Sequence, residues 1–505
     1  MLTTIKLGQW DLSAILRFTA ILFLGFASGL PLALTGQAMQ AWLTVDGLDI
    51  ATIGFLGLVG IPYSFKFLWA PLMDRFELPL FGRRKGWLVV TQLGLALLLW
   101  WMAALSPKDN LNLFAVAALA VAFLSASQDI VIDAYRTDIL APNERGLGGS
   151  LAILGYRLAT IISGGVALIW AQNSGWSHVY TLMAGIMAAA TVISFLLLPP
   201  VSATLKPLDS DPKQELAGFM AMLLGFVIGW FAMHYLLILL GFNPDSPNKW
   251  LQLGFIVAQL SAALPLGYKL ARWVGFETLN RSLDSYFAQP SAVAFLVLIV
   301  LYKLGDAFAG SLTTPFLIKG MGFSQAEVGI VIKVIGAWIT IFGVIIAGFI
   351  MLRLSLFKAL LIFGLLQLIS NFGFWLLAVE GKNAWGSFLL PAFDIGIMAV
   401  KEASQIDYLL MLVIAFENIS GGMGTAAFTV LLMSLCNQRF TATHYALLSA
   451  FAALGRIYVS PLSGVLSESW GWPNFFIFSV IMAIPGLFAV WVMRPNLLGL
   501  QKANP

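Results

Sequence analysis

Charge is scarce in this chain: Asp, Glu, Lys and Arg make up only 10% of 505 residues, where a soluble domain carries about a quarter. A water-facing surface of ordinary size cannot be built from so few, which excludes a soluble enzyme and a receptor with a large extramembrane domain. Cysteine is nearly absent, and the single Cys436 rules out an internal disulfide and a cysteine-rich metal centre. His178, His234 and His444 are scattered along the chain, so no metal site and no cofactor are expected. Long polar stretches are missing too. The widest gaps, near 200–216, 271–290 and 379–405, hold no G-x-x-x-x-G-K-[ST] phosphate loop. Arg145-Gly-Leu-Gly-Gly149 is glycine-rich but opens an apolar run with no strand before it, and reads as close helix packing. Direct ATP-driven transport is therefore not expected.

What the chain has instead is apolar length. Sixty per cent of it is hydrophobic, with a mean hydropathy of +0.89. At roughly 20 residues per crossing, that sets a ceiling of about fifteen membrane spans. Fourteen runs are long enough: 17–43, 50–73, 87–105, 111–135, 147–171, 177–199, 217–241, 250–270, 291–318, 326–350, 356–378, 406–436, 442–466 and 473–494. They are continuously apolar rather than alternating, so they are read as helices and not barrel strands. No small-residue cleavage site follows the first, which is expected to stay as a helix.

The net charge of +4 reports topology here before it reports a nucleic-acid partner, and none is expected. Eighteen Lys and Arg fall on the termini and every second loop, against five on the opposite face (Lys108, Lys249, Lys319, Lys382, Lys401). That bias puts both termini in the cytoplasm.

The two ends of the chain resemble each other in parallel. Gly47-Leu-Asp-Ile-Ala-Thr-Ile-Gly54 matches Gly322-Phe-Ser-Gln-Ala-Glu-Val-Gly329, and Asn143-Glu-Arg145 matches Asn437-Gln-Arg439. Leu154-Gly-Tyr-Arg157 answers Leu454-Gly-Arg456, Ser163-Gly164 answers Ser463-Gly464, and Gly175-Trp176 answers Gly471-Trp472. The matches keep their order. The reading is an all-α membrane protein of fourteen transmembrane helices: a six-helix half over 1–200, a linker and inserted two-helix hairpin over 201–289, and a second six-helix half over 290–505. Two parallel halves are the plan of the major facilitator superfamily. Asp74-Arg75, followed after an insertion by Gly82-Arg83-Arg84-Lys85, resembles that superfamily's D-R-x-G-R-R/K loop, while its counterpart around Arg353 and Lys358 is degenerate.

Ionisable groups inside a bilayer are costly and mark pathways. Here they are Lys66, Asp129, Asp133, Arg157, Lys303, Asp306, Lys333, Glu417 and Arg456. Asp129, Asp133 and Arg136 share one helical stripe. Asp129 is a candidate proton carrier or part of a clasp, whereas Asp133 and Arg136, with Asp74 and Arg75, fit a cytoplasmic gate. Gln128 can hydrogen-bond a solute or bridge helices. Lys303 and Asp306 can neutralise each other or serve coupling and substrate. Glu417 precedes the glycines 421, 422 and 424, which suggests a bend at a site or close packing. Arg157 and Arg456, one per half, can clamp an anion or pair with Asp129 and Glu417 within their own halves. Lys66 has no sequence-near partner. Gly25 and Gly29 with Pro31 break up the first run, for a cavity lining or for close packing.

The strings Gly25-Phe-Ala-Ser-Gly-Leu-Pro-Leu-Ala-Leu34, Phe65-Lys-Phe-Leu-Trp-Ala-Pro-Leu-Met-Asp-Arg75, Phe81-Gly-Arg-Arg-Lys-Gly-Trp87 and Ser125-Ala-Ser-Gln-Asp-Ile-Val131 closely resemble the AmpG muropeptide permeases of Gram-negative bacteria. Gln128-Asp-Ile-x-x-Asp133 is also similar to the eukaryotic acetyl-CoA transporters. The resemblance implies an inner-membrane importer, driven by the proton-motive force, of N-acetylglucosaminyl-anhydro-N-acetylmuramyl peptides for cell-wall recycling and β-lactamase induction. No enzyme is expected, and the expected partners are muropeptide, protons and the lipid bilayer, with the chain acting as a monomer. On this reading Asp129, Glu417 and Asp306 couple protons. Gly29, Lys66, Gln128, Arg157, Lys303 and Arg456 bind substrate. The alternative transport reading is a carrier of another anionic metabolite such as acetyl-CoA. A membrane enzyme lacks a Ser/His/Asp or metal constellation, and a non-transporting sensor would not need two repeat-related arginines.

Overall fold

The computed structural model describes residues 12–48, 56–78, 82–199, 201, 208–243, 249–394, 399–400 and 403–502. They are helical almost throughout, as expected where the backbone must satisfy its own polar groups. The long helices are α1 (Leu12–Leu34), α2 (Arg83–Ala104), α3 (Leu111–Ile139), α4 (Arg145–Thr160), α5 (Trp176–Leu197), α6 (Pro212–Leu239) and α7 (Lys249–Val274). After a short α8 (Glu277–Phe287) come α9 (Ala292–Ser311), α10 (Ala337–Met351), α11 (Leu356–Glu380), α12 (Tyr408–Ser434) and α13 (Thr441–Val492). Among the described residues, 11 helical stretches are long and apolar enough to cross a membrane.

The runs at 50–73, 250–270 and 442–466 are not among those 11. The first is broken, because its described part is a chain of short turns, Ile61–Phe65 and Ala70–Arg75 being the helical pieces, each with a proline in its first turn. α7 carries Lys249, Lys269 and Arg272 besides an internal Pro265. α13 holds the third run in one long rod with the fourteenth, parted at Gly471, whose φ of 74° is not helical.

The gap expected at 379–405 is not plain loop. β1 (Ser387–Leu390) pairs antiparallel with β4 (Ser404–Asp407), and β2 (Phe393–Asp394) with β3 (Ala399–Val400). Asp407 ends this ribbon and caps α12, accepting from Leu410 N at 2.8 Å.

The packing repeats along the chain. α2 lies on α5 as α11 lies on α13, and α2 on α3 as α11 on α12, while α1 packs on α4 and α9 on α13. The repeat-related glycines agree: Gly175 and Gly471 share φ values of 79° and 74°, and Gly47 and Gly322 share 82° and 70°. Such left-handed backbone favours glycine, which explains why these positions match. Between the two groups, α4 packs on α10 and α12, and α3 packs on α13. α6 and α7 pack chiefly on each other.

The α1–α4 contact is very close. A Cβ at Gly29 would sit 2.5 Å from the Tyr156 carbonyl oxygen, and one at Gly25 or Gly155 would run into the facing backbone at Ala152 or Leu22. Gly29 is thus packed closely against α4.

Candidate functional site

Two polar constellations join the N-terminal group (α1–α5) to the C-terminal group (α9–α13). The first is a clasp at one end. The α13 N-terminus has no cap of its own, since Phe440 precedes it. Asp74, from the piece Ala70–Arg75, supplies one from across the molecule. It accepts from Thr443 N at 2.7 Å, Thr443 Oγ1 at 2.7 Å and Ala442 N at 3.2 Å. A carboxylate there answers both the orphan N–H groups and the positive end of the helix dipole. Arg84 holds Asp74 at 3.0 Å and Asp138 at 2.8 Å, and Thr441 Oγ1 donates to Asp138 at 2.5 Å. Arg83 reaches the Arg439 carbonyl at 3.2 Å. The Asp74 and Arg84 side chains are buried, so these bonds work in a low dielectric.

The rest of the expected gate sits differently. Arg75 turns away from the clasp and donates to Ser210 Oγ at 2.7 Å and to the Ser210 carbonyl. Arg136 bonds Asp133 at 2.8 Å and Tyr445 OH at 2.6 Å, with its guanidinium over the Tyr445 ring. Lys66, a lone cation in sequence, lies 3.5 Å from Asp133. Arg84, Asp138, Thr441, Thr443 and Tyr445 were not picked out by sequence. Arg84 stood in a recognised motif, but its partners are side chains on other helices, with no sequence spacing to link them.

The second constellation is a cavity of about 190 Å³ between the groups. Arg157 enters it from α4, Lys303 and Asp306 from α9, and Glu417, Asn418 and Thr425 from α12. α11 contributes Gln367 and Asn371, and α10 contributes Thr340. Asp306 accepts from Gln367 Nε2 at 2.7 Å and lies 3.5 Å from Lys303. Lys303 also stands over the Phe428 ring at 5.2 Å and 3.5 Å from Thr425 Oγ1. Glu417 Oε2 accepts from Asn418 Nδ2 at 2.9 Å, while Asn418 Oδ1 accepts from Thr340 Oγ1 at 2.6 Å. Of the three glycines after Glu417, Gly421 lines the cavity, and a Cβ at Gly422 would come within 2.7 Å of the Thr340 carbonyl. A Cβ at Gly424 would displace the Gln367 amide. The cluster therefore serves both packing and the cavity wall.

Four sequence candidates thus meet here: Arg157, Lys303, Asp306 and Glu417. Asp129 is elsewhere, bonded by Ser28 Oγ at 2.5 Å. Gln128 is fully buried, and neither of its amide atoms has a hydrogen-bond partner among the described residues. Gln92 on α2 is in the same condition. The contacts Arg84–Asp138 and Gly94–Leu124 bracket Gln92 and Gln128 at one level of the α2–α3 seam. The side chains of Arg456 and Lys333 lie outside the described residues. Reading only charges missed Thr340, Gln367, Asn371 and Asn418. Amides inside apolar runs were the available signal.

The comparisons agree with this architecture. The family model of the Major Facilitator Superfamily matches residues 18–401. The anhydromuropeptide permease of Escherichia coli (strain K12) is 42% identical over 95% of this chain and 80% of its own length. An uncharacterised protein of Haemophilus influenzae is 32% identical over 94% of this chain and 93% of its own. Among solved structures, the proton:xylose symporter XylE bound to 6-bromo-6-deoxy-D-glucose superimposes with a TM-score of 0.57 at 12% identity, covering 95% of this chain and 94% of that one. The transporter FucP in the outward conformation gives 0.58 at 12% identity, covering 95% and 99%. At those identities the two structures speak for the fold alone.

Proposed function

The chain belongs to the major facilitator superfamily and, within it, to the family of the anhydromuropeptide permeases, and on that premise we propose that it imports anhydro-muropeptides by proton-coupled alternating access. The observation that carries this reading is the 42% identity, sustained over 95% of the chain, to the Escherichia coli permease. The cavity's chemistry suits such a solute: amides for sugar and peptide groups, and two cations for carboxylates. At about 190 Å³ it is smaller than the roughly 300 Å³ at which ligand pockets begin, so this state receives only part of a disaccharide-peptide.

The finer assignments are part of the same proposal. Fourteen crossings are divided into halves over 1–200 and 290–505, with α6 and α7 as an inserted transmembrane pair. The membrane is the bacterial inner membrane, and the termini and the clasp end face the cytoplasm, as the Lys and Arg bias favours. Asp129, Asp306 and Glu417 handle protons. Arg157 and Lys303 contact the solute, with Arg456 as the repeat-related counterpart of Arg157. Asp74, Asp133 and Arg136 belong to the gate. The unit at work is a monomer.

The test is uptake of purified anhydro-muropeptide by proteoliposomes under an inward proton gradient. Accumulation above the outside concentration, abolished by protonophore, is expected. Uptake unaffected by the gradient sinks the proton coupling, and no uptake with retained binding sinks the transport reading for this solute.

A further inference from the structure

Whatever the solute, we propose that the outer face of the C-terminal group binds one anionic phospholipid, its phosphate held by Lys358 and Arg494 and an acyl chain lying between α11 and α13. The two helices share a long seam. A Cβ at Gly364 on α11 would come 2.7 Å from Leu487 Cδ2 on α13. About two turns further along each helix, the Arg494 guanidinium stands over the Phe357 ring at 5.6 Å. The seam is therefore antiparallel. α9 covers one side of it, where Tyr302 OH donates to the Leu360 carbonyl at 3.1 Å and a Cβ at Gly305 would lie 2.5 Å from Ala483 Cβ. Leu365, Phe488 and Lys358 each stand one position past a seam residue, about 100° round the helix. On antiparallel helices that rotation leads to the same side, the one away from α9. Ile362, Leu365 and Ile369 on α11 and Ile484, Phe488 and Trp491 on α13 are between 43% and 62% exposed. They make two apolar stripes with a shallow groove between them.

The groove ends in cations. Lys358 lies in the first turn of α11, and Arg494 opens a short α14 (Arg494–Lys502) just past the apolar stretch Ser469–Val492. Both are exposed, and neither has an ion-pair partner among the described residues. Arg353, on the turn before α11, adds a third exposed cation. No Asp or Glu occurs over 328–379 or 469–505, so the elements that build this end bring no acidic side chain to it. Phe488 and Trp491, with rings 6.1 Å apart, stand within two turns of Arg494 and mark the depth of the headgroup layer. Resting on Phe357 positions the Arg494 guanidinium without using its N–H donors, which stay free for phosphate oxygens. Charge and apolar surface together select the ligand. A soluble anion would leave the groove unfilled, and a zwitterionic lipid would carry its own cation into a positive patch. An anionic phospholipid answers both demands.

The test is native mass spectrometry of the purified full chain in detergent, with dioleoyl phosphatidylglycerol and dioleoyl phosphatidylcholine offered at equal concentration. The comparison set is wild type, Lys358→Gln, Arg494→Gln, the two together, and Lys213→Gln, which removes an exposed cation on α6. Each is checked for monodispersity. Wild type is expected to take up one phosphatidylglycerol about tenfold or more ahead of phosphatidylcholine. Each single variant at Lys358 or Arg494 should lose about fivefold in that preference and the double variant nearly all of it, while Lys213→Gln matches wild type. Millimolar glycerol phosphate, at constant ionic strength, should not displace the lipid, because it cannot fill the groove. Displacement would mean that the patch reads a free anion, which overturns the lipid assignment. A wild type with no preference overturns it too, and so does a double variant that keeps the wild-type preference. If the double variant fails to fold, the two single variants decide.

Discussion

Single residues set the tightest limits in this molecule. At Gly155 a methyl group would be forced into the Leu22 carbonyl and against Phe26 N on α1, whereas at Gly185 on α5 it would meet open space. Backbone cannot yield as a side-chain tip can. Gly155→Ala is expected to cost about 1–3 kcal/mol, the usual penalty of overpacking, and Gly185→Ala nearly nothing. Thermal unfolding of the two variants in one detergent checks this, and equal melting temperatures would refute the close α1–α4 seam. The orphan amides of Gln92 and Gln128 make a second case. Buried polar groups are bonded as a rule, so two fully buried amides at one level of a helix seam, with no direct partner among the described residues, should satisfy each other through water. Gln128→Leu alone then leaves Gln92 unsatisfied and costs about 1–3 kcal/mol, while Gln92→Leu with Gln128→Leu should recover most of the loss. A double variant as unstable as the sum of the singles would break that pairing. If Gln128→Leu instead raised the KM for uptake without loss of stability, the amide would belong to the solute site.

At the scale of the element, α8 shows how far hydrophobic patterning reaches. The long helices were legible because a membrane span must be continuously apolar, and an apolar run of that length has few other folds. The gap at 271–290 reads in sequence as polar connection, yet it holds an 11-residue helix stabilised from outside itself. Glu215, buried on α6, accepts from Thr278 N at 3.1 Å and Thr278 Oγ1 at 2.8 Å, which makes it the cap that Phe276 cannot be. Ser210 bonds the same carboxylate at 2.5 Å and also accepts from Arg75. His444 on α13 meets the Ser282 carbonyl at 2.8 Å, so α8 touches both groups and the α6–α7 pair. No local pattern announces a cap supplied from 63 residues away. The ribbon at 387–407 escaped notice likewise, since its strands are short and its register is set by pairing within the loop. Glu215→Ala is expected to cost about 0.5–2 kcal/mol through the lost cap. It should also raise hydrogen exchange in 277–287 above that in α9, and unchanged exchange there would show that α8 holds by its own packing.

For the whole molecule, the clasp and the cavity divide the work between two levels of one interface. The clasp bonds exist only while α13 abuts Ala70–Arg75 and α3, whereas on the proposed reading the cavity admits solute only when α4 and α12 separate. Rigid groups sharing that interface can meet both demands only in alternation, as two states of one rocking movement. The repeat made the two groups legible in sequence, but not the side chains that join them, because Asp74 and Thr443 stand 369 residues apart. The state with the clasp closed can be trapped near Gly149 on α4. A Cβ there would lie 3.9 Å from Thr429 Cβ on α12, inside the roughly 3.5–4.5 Å range of a disulfide. Gly149→Cys with Thr429→Cys, in a Cys436→Ser background that removes the native thiol, should therefore oxidise readily. Crosslinking is expected to abolish uptake by proteoliposomes while leaving one face of the protein able to bind solute, and reduction should restore transport. Each single cysteine should be indifferent to oxidant. Full uptake by the quantitatively crosslinked protein would mean that α4 and α12 stay together throughout the cycle, and that solute crosses without the two groups parting at the clasp.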